Sequence, residues 1–177
     1  MTIKLTPWAI AYPDSGHDTN AHRCHMFANA GVQYLRACAA VTTSHETYGF
    51  GLYVELPLMH QAIELLLKAH AARVDPSFSP RAYNHRTADL LKDYASQVGV
   101  FATLAADQIA IALIEGLQQA WLSVRYAEVV VEYSGPDYIM AGNIGNLLAD
   151  EYFRETGVPL QAHHFEKHRQ QFAGKSA

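Results

Sequence analysis

The chain has 177 residues, of which 50% are hydrophobic and 17% are charged. This composition predicts one folded domain over residues 1–177 with a substantial core, and it excludes a chain that is disordered throughout. The formal net charge of −4 excludes a strongly basic nucleic-acid surface over the whole domain, although a local basic patch is compatible with it. No stretch approaches the roughly 18 consecutive apolar residues of a membrane span, and the N-terminus lacks the apolar core of a signal peptide. We therefore expect a cytoplasmic protein.

The two cysteines support the same expectation. Cys24 and Cys38 lie in one predicted helix at a separation of about 21 Å of helix rise, which excludes a disulfide between them. Reduced thiols agree with a cytoplasmic location. Neither cysteine has a base at a fixed spacing in the sequence, so both are predicted to be small core residues.

The first part of the chain is predicted to contain one helix between two irregular segments. Residues 1–18 mix apolar residues with proline, glycine and aspartate, and are predicted to be an irregular lead-in. Thr19 or Asn20 is a suitable N-cap for a helix that the spacing of apolar residues extends to about Thr43. Residues 42–51 are predicted to form a loop.

The strongest helical pattern lies in Leu52–Ala72, where apolar residues cover an arc of about 100° on one face. The regular helix is predicted to begin near Pro57, because a missing N–H costs nothing in the first turn. It is predicted to end near Arg73. This pattern predicts a central core helix.

A polar seam follows the apolar face of this helix, formed by His60, Glu64 and Lys68 at four-residue spacing. The simpler interpretation is an ordinary helix pair, in which glutamate before lysine contributes about 0.2–0.5 kcal/mol. The alternative is a polar pocket between helices that binds phosphate, with positive charge from Lys68 and Arg125 and a hydrogen-bond donor from His85. Asp89 belongs to the same predicted pocket.

The next segments are predicted to be a connection and a short helix. Residues 74–84 contain two prolines and are predicted to be non-helical. Asn84 or Thr87 is a suitable cap for a short helix, His85–Val98, and Gly99 is predicted to stop it.

The remaining chain completes the pattern of a helical bundle. A fourth helix is predicted over Thr103–Val124, whereas residues 125–133 are ambiguous because three consecutive valines favour an extended segment without excluding a helix. The last helix is predicted over Tyr138–Thr156 and is closed by Gly157. Residues 161–177 are polar and rich in histidine, as is typical of a terminal tail. The fold class is therefore all-α, a bundle of four long helices and one short helix.

Three pieces of sequence occur in an order that carries a family resemblance. They are His60-Gln61-Ala62 with Glu64 and Leu66-Leu67-Lys68-Ala69, then His85 with Asp89-Leu90-Leu91, and finally Arg125-Tyr126. In this order they resemble the HEPN superfamily of helical domains over roughly residues 55–130. Many relatives carry an Arg-Tyr-Pro turn at the third piece, where this chain has Ala127 in place of the proline.

The resemblance implies a HEPN-like helical bundle that forms homodimers. It also implies roles in RNA cleavage, nucleotide binding or toxin–antitoxin and defence systems, with a nucleotidyltransferase-type protein as a possible partner. Catalytic relatives carry an arginine followed after four to six residues by a histidine. Here Arg81 precedes His85 by a shorter interval, and Arg125 has no histidine close downstream.

Two functional hypotheses follow from this resemblance. The first is a domain that binds nucleotide, RNA or a protein partner without established catalysis. Its predicted ligand-binding residues are His60, Glu64, Lys68, Asp89 and Tyr126. The second is a divergent ribonuclease that uses Arg81 or Arg125 with His85.

A third hypothesis is a metal-binding or purely structural bundle. Di-iron bundles need a carboxylate and a histidine close together on two helices plus two further glutamates, and only His60 with Glu64 fits this requirement. The sequence therefore predicts no metal ligand set, and no motif predicts a cofactor. Trp121, Tyr126 and Tyr133 are candidates for base stacking, although aromatic residues at helix ends more often belong to the core.

Overall fold

The computed structural model describes residues 19–48, 54–126 and 135–157. Within these ranges the chain is helical with short connections and contains no strand, so the all-α prediction is confirmed for this part of the protein. Seven helices follow one another there: α1 (Thr19–Tyr48), α2 (Glu55–Val74), α3 (Pro80–Tyr83), α4 (Thr87–Asp93), α5 (Gly99–Ala106), α6 (Gln108–Tyr126) and α7 (Gly135–Thr156). Four of these helices are long and three are short, whereas the sequence predicts four long helices and one short helix.

The helix α2 lies at the centre of the bundle, in contact with α1, α4, α6 and α7. Its apolar arc is buried because neighbouring helices cover it from several sides. The contact with α1 is especially close at Gly31, where an added Cβ would lie 2.7 Å from Leu66 Cγ. Cys24 and Cys38 are not joined in a disulfide, and both are buried in the core, as predicted.

The helix α1 extends beyond its predicted end. It continues to Tyr48, so the predicted loop over residues 42–51 is wrong for residues 42–48, and the remainder lies outside the described residues. No proline or glycine interrupts the chain between Thr42 and Tyr48, which leaves the helix without a stop signal. The helix α2 begins at Glu55, so that Pro57 lies in its first turn, where a proline is tolerated.

The predicted single helix Thr103–Val124 is wrong. Two helices, α5 and α6, meet there at an angle of 93°. Asp107 lies between them with extended backbone angles, and its Oδ1 accepts hydrogen bonds from the N–H groups of Ile109 and Ala110 at 2.9 and 3.3 Å. This side-chain cap starts a new helix in a different direction. Gly99, predicted to be a stop, begins α5 instead.

No single helix in the described ranges is long and apolar enough to cross a membrane. Among the described helices, only the bent pair α5 and α6 reaches the necessary length and composition, and it does so when its two parts are taken together.

The segment before α5 also differs from its prediction. Residues 74–84 contain the short helix α3, which Pro80 begins, so the predicted non-helical connection is wrong at its end. The helix α4 covers only Thr87–Asp93 of the predicted His85–Val98, and neither Asn84 nor Thr87 caps it with a side-chain hydrogen bond. His85 therefore lies in the turn before α4 rather than inside a helix.

The last helix ends as predicted. Gly157 has a φ of 65° and its N–H donates to the carbonyl of Phe153 at 2.8 Å, which is a left-handed C-terminal cap. Of the ambiguous residues 125–133, Arg125 and Tyr126 continue α6, and residues 127–133 lie outside the described residues. The predicted lead-in 1–18 and tail 161–177 also lie outside them.

Candidate functional site

The polar seam of α2 lies inside the bundle. His60 is 1% exposed, Glu64 2% and Lys68 8%, because α4 and α6 pack over this side of α2. The predicted i,i+4 pair of Glu64 and Lys68 forms, but it is buried rather than on a solvated helix face. Buried charges need partners, and the structure brings His85 from the turn before α4 and Trp121 from α6 against the seam. We call His60, Glu64, Lys68 and His85 the polar cluster.

The carboxylate of Glu64 is the centre of the polar cluster. Its Oε1 accepts a hydrogen bond from Lys68 Nζ, and its Oε2 lies 2.9 Å from His85 Nδ1. An ionised carboxylate only accepts hydrogen bonds, so His85 Nδ1 carries the proton in this pair. The other ring nitrogen, Nε2, is then available for a second partner, and the His85 side chain is 27% exposed. The polar cluster therefore reaches the surface through one imidazole.

Lys68 is committed to contacts inside the protein. Besides Glu64, its Nζ donates to the carbonyl of Asn84 at 3.2 Å. The charge of Lys68 is thus balanced by a buried carboxylate rather than directed to solvent. The predicted role of Lys68 as a direct phosphate ligand does not fit this geometry.

The turn that carries His85 is strained. Asn84 has φ 52° and ψ −113°, and the N–H of Arg86 donates to the carbonyl of Tyr83 at 2.8 Å. These values correspond to a type II′ turn with Asn84 at the first central position, where glycine is strongly preferred. A non-glycine residue held in such a region costs on the order of 1–3 kcal/mol, and such strain is often found at functional sites. His85 is the second central residue of this turn.

His60 is the most deeply buried member of the polar cluster. Its Nδ1 lies 3.8 Å from Glu64 Oε2, and neither ring nitrogen has a hydrogen-bond partner of good geometry among the described residues. Burial lowers the pKa of His60 to about 4, and the nearby Glu64 carboxylate opposes this only in part. His60 is therefore neutral at pH 7.

One aromatic side chain, Trp121, covers the polar cluster on the α6 side. The indole of Trp121 lies 3.9 Å from the His85 ring and 5.5 Å from the His60 ring, measured between centroids. One turn earlier on α6, Gln118 Oε1 accepts a hydrogen bond from the N–H of Thr87 at 3.1 Å, which fixes the start of α4 to α6. The sequence predicts Trp121 as a candidate for base stacking or a core residue, and no local signal places it beside His85.

Other predicted site residues lie apart from the polar cluster. Asp89 is 51% exposed and pairs with Arg86 at 3.1 Å, so its predicted place in the pocket does not fit. Arg81 is exposed on α3. The side chains of Arg125 and Tyr126 lie outside the described part of the chain. Among the residues that the structure describes, no group of three or more His, Cys, Asp or Glu side chains is arranged to hold a metal ion.

A separate groove lies between α7 and the junction of α5 and α6. It has a volume of about 240 Å³ and contains no member of the polar cluster. Apolar residues dominate its lining, which consists of Leu104, Asp107, Ala110, Leu113, Met140, Asn143, Ile144 and Leu147.

The fold and the site define a helical bundle with a buried polar cluster that opens to the surface at one histidine. Comparison of the chain with protein-family models, curated proteins and solved structures found no match.

Proposed function

We propose that this chain is a HEPN-like helical domain that binds RNA or a nucleotide where His85 reaches the surface. The hydrogen bond between Glu64 and His85 is the observation that carries the proposal. It fixes the imidazole at Nδ1 and leaves Nε2 as the nitrogen that a ligand can reach. A phosphate oxygen accepts a hydrogen bond from a protonated Nε2, and the negative charge of the phosphate favours that protonated state.

The surroundings of His85 favour a ligand that combines one phosphate with an aromatic base. Lys68 is neutralised by Glu64, and His60 is uncharged, so His85 is the polar cluster's single contact for an anion. Trp121 lies directly beside it and supplies an aromatic surface. Stacking of a base on such a ring is worth about 1–3 kcal/mol. A nucleoside monophosphate or a single-stranded RNA phosphate with its base matches this arrangement.

The family resemblance supplies the wider context of the proposal. It supports a homodimer, a toxin–antitoxin or defence role in the cytoplasm, and a nucleotidyltransferase-type partner. Tyr126 and Arg125, at the end of α6, are proposed to extend the ligand site. Arg81, on the helix before the strained turn, is proposed as a further source of positive charge.

RNA cleavage is the second candidate function, and the same hydrogen bond favours it. A histidine oriented by a carboxylate at Nδ1 is a suitable general base, since its Nε2 takes a proton from an attacking hydroxyl. In this alternative Arg81 or Arg125 stabilises the negative charge that develops on the phosphate.

Binding is tested by fluorescence anisotropy with a labelled single-stranded RNA and by competition with AMP. His85→Gln removes the ring, and Lys92→Gln is the matched control, because Lys92 pairs with Glu115 on the surface. Loss of one charge-assisted hydrogen bond, about 1.5–3 kcal/mol, predicts a weakening of roughly 10- to 150-fold in H85Q. The control should bind like the wild type.

The same samples separate the two functions when the RNA is analysed on a gel. Cleavage by the wild type that disappears in H85Q supports the ribonuclease. Binding of the RNA without cleavage supports the binding function and rejects the ribonuclease. Equal affinity of the wild type and H85Q for RNA, or no binding of RNA and AMP by the wild type, overturns the proposal.

A further inference from the structure

We propose that Lys68 is a positioning residue, which holds the strained Asn84 carbonyl and the Glu64 carboxylate together and thereby fixes His85 at the surface. The proposal rests on the proposed function in so far as His85 is the ligand contact. The positioning itself is measurable without any ligand.

The contacts of Lys68 form a closed ring. Lys68 Nζ bonds the Glu64 carboxylate and the Asn84 carbonyl, Glu64 bonds the ring of His85, and His85 follows Asn84 in the chain. One ammonium group therefore holds both the backbone before His85 and, through Glu64, its side chain. A lysine whose role was only to balance the charge of Glu64 would not need the contact with Asn84.

The strain at Asn84 explains why such a contact is needed. Asparagine at φ 52° and ψ −113° tends to relax toward an ordinary turn unless its neighbours hold it. The flank of the turn is held by Arg86, whose guanidinium donates to the carbonyl of Ala82 at 2.8 Å. At Asn84 itself, the carbonyl accepts the hydrogen bond from Lys68 at 3.2 Å. Loss of Lys68 therefore removes the side-chain contact on Asn84 that opposes relaxation of the turn.

The substitution Asn84→Gly distinguishes two possible roles of Lys68, positioning of the turn and balancing of the Glu64 charge. Glycine adopts this conformation without strain, so the turn keeps its shape even when Lys68 no longer holds it. If Lys68 acts through the turn, Asn84→Gly restores His85 in the background of Lys68→Met. If Lys68 acts only through the charge of Glu64, the second substitution restores nothing.

The experiment is a double-mutant cycle of the full chain with the two single variants and K68M/N84G. The readout is the tautomeric state of His85 from nitrogen NMR of protein labelled in histidine, with the signal assigned by its loss in His85→Gln. The wild type should show one tautomer, protonated at Nδ1. K68M should show exchange between tautomers, and K68M/N84G should return to the wild-type signal. Lys92→Met should leave the signal unchanged.

Unchanged His85 signals in K68M overturn the proposal, as does a double variant that resembles K68M alone. Should the unpaired Glu64 charge prevent K68M from folding, the same cycle is run with Glu64→Gln in every sample, so that the two samples with Lys68→Met carry no charge at either position, whereas Lys68 keeps its contact with the Asn84 carbonyl in the other two. There the His85 signal should again broaden on Lys68→Met and recover on Asn84→Gly, and the absence of recovery overturns the proposal. Ligand affinity is a separate readout, so failure of RNA binding in the wild type rejects the proposed function and leaves this result intact.

Discussion

His60 links the stability of the bundle to pH between neutral and mildly acidic conditions. Burial lowers its pKa from 6.5 to about 4 in the folded protein. Below pH 6.5 the unfolded chain takes up a proton at this ring that the folded chain does not, so the free energy of unfolding falls as the pH falls. The stabilisation is complete above the unfolded pKa and is lost progressively down to the folded pKa. The full loss is about 3 kcal/mol, of which about 2 kcal/mol occurs between pH 7 and pH 5.

The substitution His60→Leu isolates this contribution. Burial also lowers the pKa values of His25 and His70, so these two residues also make the free energy of unfolding fall as the pH falls. Their contribution is the same in the wild type and in H60L and therefore cancels in the comparison. Urea unfolding at pH 7 and pH 5 should therefore show a drop in unfolding free energy that is smaller in H60L than in the wild type by about 2 kcal/mol. Ile63→Val is the control, because it lowers stability by about 1 kcal/mol through lost packing and leaves the pH dependence unchanged. Parallel pH dependence of the wild type and H60L would refute the reasoning.

Two further predictions concern stability, each measured by thermal and urea unfolding at pH 7. Asn84→Gly should raise the free energy of unfolding by about 1 kcal/mol because glycine relieves the strain at φ 52°, whereas Asn84→Ala should lower it by a similar amount; equal effects of both would contradict the strained turn. Gly31→Ala should cost about 1–3 kcal/mol, since its Cβ would lie 2.7 Å from Leu66 Cγ and 3.0 Å from a carbonyl oxygen of α2. Gly99→Ala is the matched control, because nothing lies within 4 Å of its added Cβ, and equal losses at both positions would reject the close contact of α1 with α2.

The long helices were predictable because their signals are local. The apolar arc of α2 and the stop at Gly157 depend on residues within a few turns of each other, so periodicity and capping rules apply directly. The break between α5 and α6 was not predictable in the same way. Apolar residues continue on both sides of Asp107. The position of Asp107 relative to them also fits the solvent-facing side of one long helix. Only the capping hydrogen bonds reveal that Asp107 starts a new helix.

The sequence predicts which residues form the site better than it predicts how these residues are arranged. The seam on α2 and the later His85 are visible in the sequence, but four-residue spacing does not distinguish a buried seam from an exposed one. Asn84 was not recognised as strained, because asparagine in a turn is compatible with several ordinary conformations. The position of Trp121 depends on how α6 lies over α2, which no local pattern encodes. Asp89 was misplaced because it pairs with Arg86 on the outer side of α4.

A crystal structure of the complex with AMP tests most directly the proposal that a nucleotide binds where the Glu64–His85 pair reaches the surface. We expect a phosphate oxygen about 2.7–3.2 Å from His85 Nε2, with the base against Trp121 and the hydrogen bond to Glu64 retained. AMP bound elsewhere, for example in the groove between α7 and the α5–α6 junction, with His85 free of contact, would contradict the claim.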